Sequence, residues 1–183
     1  LSGPTLAAEL ATGLRAAGVD VIDVGCVATP TLYFAAHQLG TLSGVMVTGS
    51  HNPPDYNGFK MMLAGDTLSG EAIQALRQRL ETGDLAHGAG SYREHDIQAA
   101  YLDRITSDIR LARPMKVVVD CGNGIPGAFA PTLYQRLGCQ VEPLFCEVDG
   151  TFPNHHPDPS QPHNLQDVIR ALANGEAELG LAF

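Results

Sequence analysis

Residues 48–60 bring together side chains that could transfer a charged group. They read Thr-Gly-Ser-His-Asn-Pro-Pro-Asp-Tyr-Asn-Gly-Phe-Lys. Ser50 offers a hydroxyl, His51 can exchange protons at reacting oxygens, and Lys60 supplies a positive charge. A serine beside a histidine, an amide and a lysine, without an aspartate immediately next to it, is suited to carrying a phosphoryl group.

This polar stretch follows a predicted strand. The apolar run at 45–47, Val-Met-Val, predicts a short buried strand. The polar residues therefore fall at its carboxyl end, where open α/β sheets bind ligands. Gly49 allows a sharp turn and the close approach of a ligand. The Asn-Gly turn pair at 57–58 brings the chain back, so that Lys60 can face the Ser50 hydroxyl.

Two known catalytic loops do not match this stretch, and an ordinary surface turn stays open as an alternative. The acyl-transfer elbow Gly-x-Ser-x-Gly needs glycine at the positions that hold Thr48 and Asn52. A Walker loop needs a longer glycine-rich run and a lysine followed by serine or threonine. Most Gly-Ser-His-Asn stretches are ordinary surface turns, and composition alone does not decide between a turn and a catalytic loop.

The segments around the stretch alternate between helical and strand periodicity. A helix is predicted from Ser2, its cap, to Gly18, and another over 69–81 with Ser69 as cap. The apolar positions of the second helix that we expect to face inward are Ile73, Leu76 and Leu80. The other elements are strands at 20–25, 43–48 and 59–63 and a helix at 30–39. This order predicts an α/β unit that lacks its first strand, which we expect before Leu1.

A second unit is predicted after a linker at residues 82–90, which are rich in glycine, alanine and histidine. It contains a helix at 96–109 and strands at 116–120, 140–145 and 179–183. Helices that end near 137 and span 165–174 alternate with these strands, and the βαβαβ pattern predicts a parallel sheet. We therefore assign one domain to residues 1–90 and a second to residues 91–183.

Composition narrows the classes of partner. The 183 residues are 44% hydrophobic, which predicts a globular protein. Eleven Lys and Arg against 20 Asp and Glu give a net charge of −9, which disfavours polyanionic partners such as nucleic acid. No signal peptide or bilayer-length apolar run is visible, so we expect the cytoplasm. Four cysteines form no metal-binding pair and are expected to be reduced and structural: Cys26, Cys121, Cys139 and Cys146.

A glycine-rich run suggests a second function. Residues 122–127 read Gly-Asn-Gly-Ile-Pro-Gly, between a predicted strand and a predicted helix, and Glu147 follows twenty residues after the last glycine. This spacing is that of a dinucleotide-binding fingerprint, so a nucleotide-dependent oxidoreductase is one hypothesis. A tightly packed strand-to-helix turn would need the same glycines.

A histidine cluster suggests a metal site, with His155, His156 and His163 near Asp158. Adjacent histidines in an extended segment point to opposite sides, so the first two do not easily chelate one zinc ion. We favour a structural loop limited by its prolines. The remaining histidines are expected to be surface or packing residues: His37, His87 and His95.

The run Thr-Gly-Ser-His-Asn-Pro followed by Asn-Gly-Phe-Lys resembles the phosphoserine loop of the α-D-phosphohexomutases, specifically the bacterial phosphomannomutase/phosphoglucomutase branch. Three later segments are similar to the second domain of that branch: Val-Val-Val-Asp-Cys-Gly-Asn-Gly, Phe-Pro-Asn-His-His-Pro-Asp-Pro and Leu-Gly-Leu-Ala-Phe. The resemblance accounts for the glycine-rich run without a nucleotide. It implies two three-layer αβα domains with mixed or parallel sheets, truncated at both ends.

The resemblance also implies a fragment. In the family, the last strand runs into an Asp-Gly-Asp-Gly-Asp-Arg loop whose aspartates hold Mg²⁺, and this sequence ends at Phe183, one step earlier. The implied metal ligand within the chain is Ser50, through its phosphoryl group. We expect that this segment alone cannot complete turnover.

The implied reaction interconverts hexose 1-phosphates and hexose 6-phosphates of mannose or glucose. Phospho-Ser50 would donate its group, Lys60 would bind substrate and neutralise charge, and His51 would orient or exchange protons. Asn52 is expected to fix the loop through side-chain-to-backbone bonds. Glucose 1,6-bisphosphate or mannose 1,6-bisphosphate would be the activator.

The expected partners are hexose phosphates, with no nucleic acid, membrane or obligatory protein partner. A non-catalytic phosphosugar-binding module stays open as an alternative function.

Overall fold

The structure is a computed structural model that describes residues 2–49, 52 and 56–183. The chain divides into two compact units, Leu1–Ile97 and Gln98–Phe183. Both units are mixtures of helices and strands, as the alternating periodicity predicts. Among the described residues, no helix combines the length and the apolar content needed to cross a membrane.

The first unit contains three helices and five strands within its described residues. In chain order they are α1 (Gly3–Ala16), β1 (Val21–Asp23), α2 (Thr29–Gln38), β2 (Gly44–Thr48), β3 (Gly58–Leu63), β4 (Asp66–Thr67), α3 (Glu71–Thr82) and β5 (Tyr92–Glu94). β1 pairs in parallel with β5, whereas β2, β3 and β4 form an antiparallel meander. Strand β5 was not predicted, because its three residues are all exposed and carry no apolar alternation.

Strand β2 is only partly buried, which corrects the prediction of a buried strand from its apolar run. The strand hydrogen-bonds to β3 on one side and, within the described part of the chain, to no strand on the other. An edge position leaves one side of a strand less covered than a central position does. Apolar composition therefore identified the strand but not its place in the sheet.

Helix α3 departs from its prediction in two ways. Gly70, with φ +50°, occupies the cap position in place of Ser69, and no side chain accepts a capping hydrogen bond there. Ile73, Leu76 and Leu80 are 37%, 37% and 67% exposed, so they do not face inward. Helical periodicity defines an apolar stripe, but whether another segment covers that stripe depends on the tertiary structure.

Helix α1 begins at its predicted place without the predicted cap. The Ser2 side chain makes no capping bond, and its hydroxyl instead accepts a hydrogen bond from the Asn57 amide. The Ser2 carbonyl accepts the N–H of Leu6, so the first turn is still closed. Gly18, at φ +88°, follows the helix as predicted, because glycine adopts this conformation without a side-chain clash.

The second half of the predicted linker is packed against the first unit. The N–H groups of Gly88 and Gly90 donate to the carbonyls of Ala16 and Arg15, each at 2.8 Å. A Cβ atom at Gly90 would lie 2.0 Å from the Val19 carbonyl oxygen. These glycines bring two backbone segments into contact, and this ordered turn leads directly into β5.

The second unit is built around a parallel sheet. Its elements are α4 (Gln98–Asp108), β6 (Lys116–Asp120), the 3₁₀ turn Ile125–Ala128, α5 (Ala130–Arg136), β7 (Gln140–Leu144), the 3₁₀ turn Pro162–Leu165, α6 (Gln166–Asn174) and β8 (Leu179–Ala182). The strand order is β7-β6-β8, with every pair parallel. The predicted βαβαβ arrangement is confirmed, and β6 is its central strand.

The core of this unit lies along β6. Val117, Val119 and Cys121 are at most 1% exposed and pack with Ala130 and Cys139. A central parallel strand is covered on both faces, which explains its uninterrupted valines.

Three of the four cysteines are buried or partly buried, and the described cysteines are free thiols. Cys26 is exposed, so the prediction of a packing role is wrong for that residue.

Candidate functional site

The serine-containing stretch is the connection of a β-hairpin. β2 ends at Thr48, which pairs with Gly58 at the start of β3. A Cβ atom at Gly49 would lie 2.8 Å from the Tyr56 carbonyl oxygen. Real Cβ atoms do not approach a carbonyl oxygen so closely, so glycine lets the two arms of the loop meet at its base. Residues 50, 51 and 53–55 lie outside the described residues.

Asn52 ties the first arm of the loop together. Its backbone N–H donates to the Gly49 carbonyl at 3.1 Å, and its side-chain Nδ2 donates to the same oxygen at 2.9 Å. This is the side-chain-to-backbone bond predicted for it. Two donors on one carbonyl define a tight turn, and in the sequence this turn brackets positions 50 and 51.

Lys60 lies in β3, near the loop. It pairs with Met46 across the hairpin, two residues beyond the Thr48–Gly58 pair. Two residues of strand span about 7 Å, so the Lys60 backbone is about that far from the base of the loop. Lys60 is exposed, and its side chain makes no ion pair or hydrogen bond with the described part of the chain. Within the described residues, no carboxylate competes with an anion for its ammonium group.

The predicted catalytic residues fall into two groups. Lys60 is placed, whereas Ser50 and His51 lie outside the described residues, so their distances and orientations are not part of the structure. What the structure contributes is the framework, which consists of an antiparallel hairpin, a glycine contact and an asparagine-closed turn.

A second polar cluster lies at the carboxyl edge of the parallel sheet, and sequence reasoning missed it. Asp120, the last residue of β6, is fully buried. Its Oδ1 accepts the Gly122 N–H at 2.9 Å, and its Oδ2 lies 3.1 Å from His155 Nε2. The one signal that could have suggested it is a carboxylate directly after three valines, because a buried carboxylate needs a partner.

The same pair explains why His155 differs from an ordinary loop histidine. Burial would lower the pKa of His155, but hydrogen bonds to the His156 carbonyl and to Asp120, with the Asp120 charge, outweigh it and raise the pKa. The ring therefore favours the charged form more than a free histidine does.

The glycine-rich run is a packed turn. Gly122 and Asn123 both have positive φ, +49° and +58°. A Cβ atom at Gly127 would lie 2.1 Å from the Cys146 carbonyl oxygen. Asn123 Nδ2 donates to the Glu147 carbonyl, and its Oδ1 accepts from Asn154 Nδ2. These contacts account for the glycines through packing, and the run continues into the 3₁₀ turn Ile125–Ala128, which precedes α5.

The histidine cluster does not converge on a common point. His155 faces Asp120, and Asp158 Oδ1 accepts hydrogen bonds from the Ser160 N–H and hydroxyl. His156 also has an interaction of its own. Within residues 2–49, 52 and 56–183, no three His, Cys, Asp or Glu side chains come together in a way that could hold a metal ion. The separate contacts of His155 and Asp158 favour the predicted structural loop.

Family models match both units. Residues 1–87 match phosphoglucomutase/phosphomannomutase α/β/α domain I, and residues 99–183 match α/β/α domain II. The chain is 59% identical over 183 residues to a phosphomannomutase/phosphoglucomutase of Pseudomonas aeruginosa, and 60% identical over 185 residues to a phosphoglucomutase of Neisseria meningitidis. Each alignment covers 100% of this chain and 40% of the relative.

A solved structure agrees with these matches. The crystal structure of a phosphoglucomutase/phosphomannomutase family protein from Burkholderia thailandensis superposes with a TM-score of 0.93 at 51% identity, covering 100% of this chain and 42% of that one. The chain thus spans about 40% of the length of the curated relatives it matches. Because the two domain models together cover nearly all of its length, the chain belongs to the phosphoglucomutase/phosphomannomutase family.

Proposed function

We propose that this chain supplies the phosphoserine-carrying part of a mutase that interconverts hexose 1-phosphates and hexose 6-phosphates of mannose, glucose or both. The observation that carries the proposal is the hairpin loop at Ser50, with exposed Lys60 beside it, in a chain that matches both family domains. A loop whose sequence carries a hydroxyl, in a hairpin with an exposed lysine that has no ion pair among the described residues, is suited to a phosphorylated ligand.

The proposed reaction moves one phosphoryl group in each of two steps. The P–O bond to the Ser50 oxygen breaks and a P–O bond to the free sugar hydroxyl forms, giving a hexose 1,6-bisphosphate. The hydroxyl proton leaves with His51 as the acceptor, and Ser50 leaves as the oxyanion that is reprotonated or rephosphorylated. After the sugar turns around, its other phosphate returns to Ser50, so phosphate moves between O1 and O6.

Lys60 contributes charge neutralisation to this scheme. Phosphoryl transfer is catalysed mainly by positioning and by cations that meet the negative charge of the transferring group. Lys60 has no carboxylate partner among residues 2–49, 52 and 56–183, so none of these residues offsets its charge. Gly49 and Asn52 contribute positioning, since they close the base and the first turn of the loop.

Magnesium is the proposed cofactor. When bound to a phosphoryl oxygen of phospho-Ser50, Mg²⁺ would act as a Lewis acid that offsets charge on the transferring group. Among the described residues no three His, Cys, Asp or Glu side chains could hold the ion together, and Ser50 is the ligand that we propose within this chain. Glucose 1,6-bisphosphate or mannose 1,6-bisphosphate would restore phosphate to Ser50.

The proposed setting follows from the same chemistry. Hexose phosphates are the expected ligands, and the net charge of −9 makes a local cation such as Lys60 necessary for binding them. We propose a cytoplasmic protein with no nucleic-acid, membrane or obligatory protein partner.

Ser50→Ala in the complete natural protein tests the proposal. We expect mutase turnover to fall by about 10⁴-fold or more, since the variant removes the atom that carries the phosphate. Mass spectrometry of the wild type, incubated with glucose 1,6-bisphosphate, should find one phosphoryl group on the peptide that contains Ser50. Ser69→Ala, an exposed serine of the same unit, is the matched control and should retain activity.

Two outcomes would count against the mutase. Undiminished isomerisation by Ser50→Ala would refute the phosphoserine. An unmodified Ser50 together with normal hexose phosphate binding and no turnover would identify a non-catalytic phosphosugar-binding module.

A further inference from the structure

Three segments of the second unit meet at Asp120. Its carboxylate accepts the Gly122 N–H from the glycine-rich turn. It also contacts the His155 ring from the proline-rich loop, which spans residues 145–161. Its backbone carbonyl accepts the Phe183 N–H at 3.1 Å, just after β8 ends. One buried residue thus joins the ends of two strands and a long loop at the carboxyl edge of the sheet.

The hydrogen-bond geometry determines where the protons of His155 lie. Nδ1 is 3.0 Å from the His156 carbonyl oxygen, which can only accept, so Nδ1 carries a proton. Nε2 faces both oxygens of Asp120, at 3.2 and 3.1 Å. A carboxylate also only accepts, so with Asp120 in its ionised form Nε2 carries the second proton. The arrangement is satisfied by an imidazolium paired with a carboxylate.

The surroundings keep this pair away from water. The side chains of His155 and Asp120 are 13% and 1% exposed. The Phe145 ring meets the His155 ring edge to face, with centroids 5.4 Å apart. A Cβ atom at Gly122 would lie 3.2 Å from His155 Cε1, so the glycine also makes room for the ring. A charge pair so enclosed is weakly screened by salt.

Other ionisable groups around the pair favour the same protonation state. Asp167 of α6, which also pairs with Arg170, adds a negative charge that raises the pKa of His155. Burial raises the pKa of both neighbouring thiols, Cys121 and Cys146, so they stay uncharged. Among the described residues, the other ionisable groups with a resolved electrostatic effect at the pair are Asp167, Cys121 and Cys146.

We propose that Asp120 and His155 are positioning residues, a buried carboxylate–imidazolium lock that holds the proline-rich loop and the end of β8 in place and opens when the imidazolium loses its proton. The lock itself does not depend on the proposed mutase reaction. Its effect on turnover rests on that function, because the loop and strand end belong to the domain that the reaction would use.

The sign of the pH dependence follows from the direction of the shift. The pKa of His155 is higher in the folded chain than in the unfolded chain. The lock therefore contributes its full stability below the ordinary histidine pKa of about 6.5 and loses it as the pH rises through the folded value. The carboxyl edge of the sheet should loosen as the pH rises above the ordinary histidine value.

Nitrogen-15 NMR of the histidine side chains in the complete natural protein tests the lock directly. His155→Gln assigns the signal. We expect the titration midpoint of His155 to lie above the ordinary histidine value, with both ring nitrogens protonated below that midpoint. In Asp120→Asn the midpoint should fall below that of the wild type, because burial then acts with less opposition. His163→Gln, which removes an exposed histidine, should leave the His155 signal unchanged.

A His155 signal that titrates at or below the ordinary histidine value would overturn the lock. The wild-type measurement decides this even where a variant does not fold.

The pH profile of turnover separates positioning from general packing. In the wild type, kcat should decrease as the pH rises and His155 deprotonates. In His155→Gln, kcat should be lower throughout and should lack this decrease. An unchanged profile would refute the positioning role. If Ser50→Ala retained activity while the NMR result held, the mutase proposal alone would fail.

Discussion

The serine loop and the carboxyl edge of the parallel sheet place their polar groups in opposite ways. At the loop, Lys60 is exposed and without an ion pair among the described residues. At the sheet edge, Asp120 is fully buried and makes hydrogen bonds with its own turn and with His155. Polar groups left unpaired can bind a ligand, whereas polar groups that are buried and paired hold the framework.

Removing the buried carboxylate should have the largest effect on stability. We expect Asp120→Ala to lower the free energy of unfolding by about 3–5 kcal/mol, because it leaves a buried charge without its partner. Asp103→Ala breaks an exposed ion pair with Arg136 and should change the free energy of unfolding by less than about 1 kcal/mol. Urea unfolding of the two variants measures both values, and equal losses would contradict the contrast between buried and exposed pairs.

Removing the exposed cation should act on turnover and not on stability. We expect Lys60→Ala to lower kcat/KM of the complete protein by about 10²–10³-fold, the usual effect of losing one group that stabilises transition-state charge. The unfolding free energy should stay within about 0.5 kcal/mol. Arg77→Ala, which removes an exposed cation paired with Glu81, is the control. Activity loss in both variants would point to a general charge effect.

Glycine substitutions sharpen the comparison at the base of the loop. Gly49→Ala should destabilise the chain by about 1–3 kcal/mol, because its Cβ would lie 2.8 Å from the Tyr56 carbonyl oxygen. Gly13→Ala, inside α1 with nothing within 4 Å of the added atom, should stabilise it by about 0.5–1 kcal/mol. Thermal unfolding should therefore move in opposite directions for the two variants.

The smallest effect is expected from thiol labelling. A maleimide should modify exposed Cys26 before buried Cys121, since burial raises the pKa of the Cys121 thiol and removes it from solvent. Peptide mapping after short exposures measures the order, and Cys26→Ser should abolish the early product. Early labelling of Cys121 would show that the carboxyl edge opens easily.

Sequence periodicity predicted most elements because their signals are local. The valines of β6, the turn glycine after α1 and the alternation of strands with helices in the second unit all lie within short windows. The exposed stripe of α3 and the missed strand β5 show the limit, since their burial and pairing depend on segments far away in the chain.

The candidate site at the serine loop also combines features that local sequence predicts with roles that stay untested. The residue types and spacing of positions 48–60 were enough to suggest phosphoryl chemistry, and the glycine and asparagine that shape the loop act on residues close to them in sequence. The roles of Ser50 and His51 stay predictions.

The sequence by itself determined the local conformations and the chemistry available at the hairpin, because periodicity, turn residues and side-chain type are properties of short segments. Only the tertiary structure decided that Asp120 meets His155 across 35 residues, and that Gly90 packs against Val19. The physical reason is that a buried charge or a close backbone contact is specified by its partner, and topology chooses the partner.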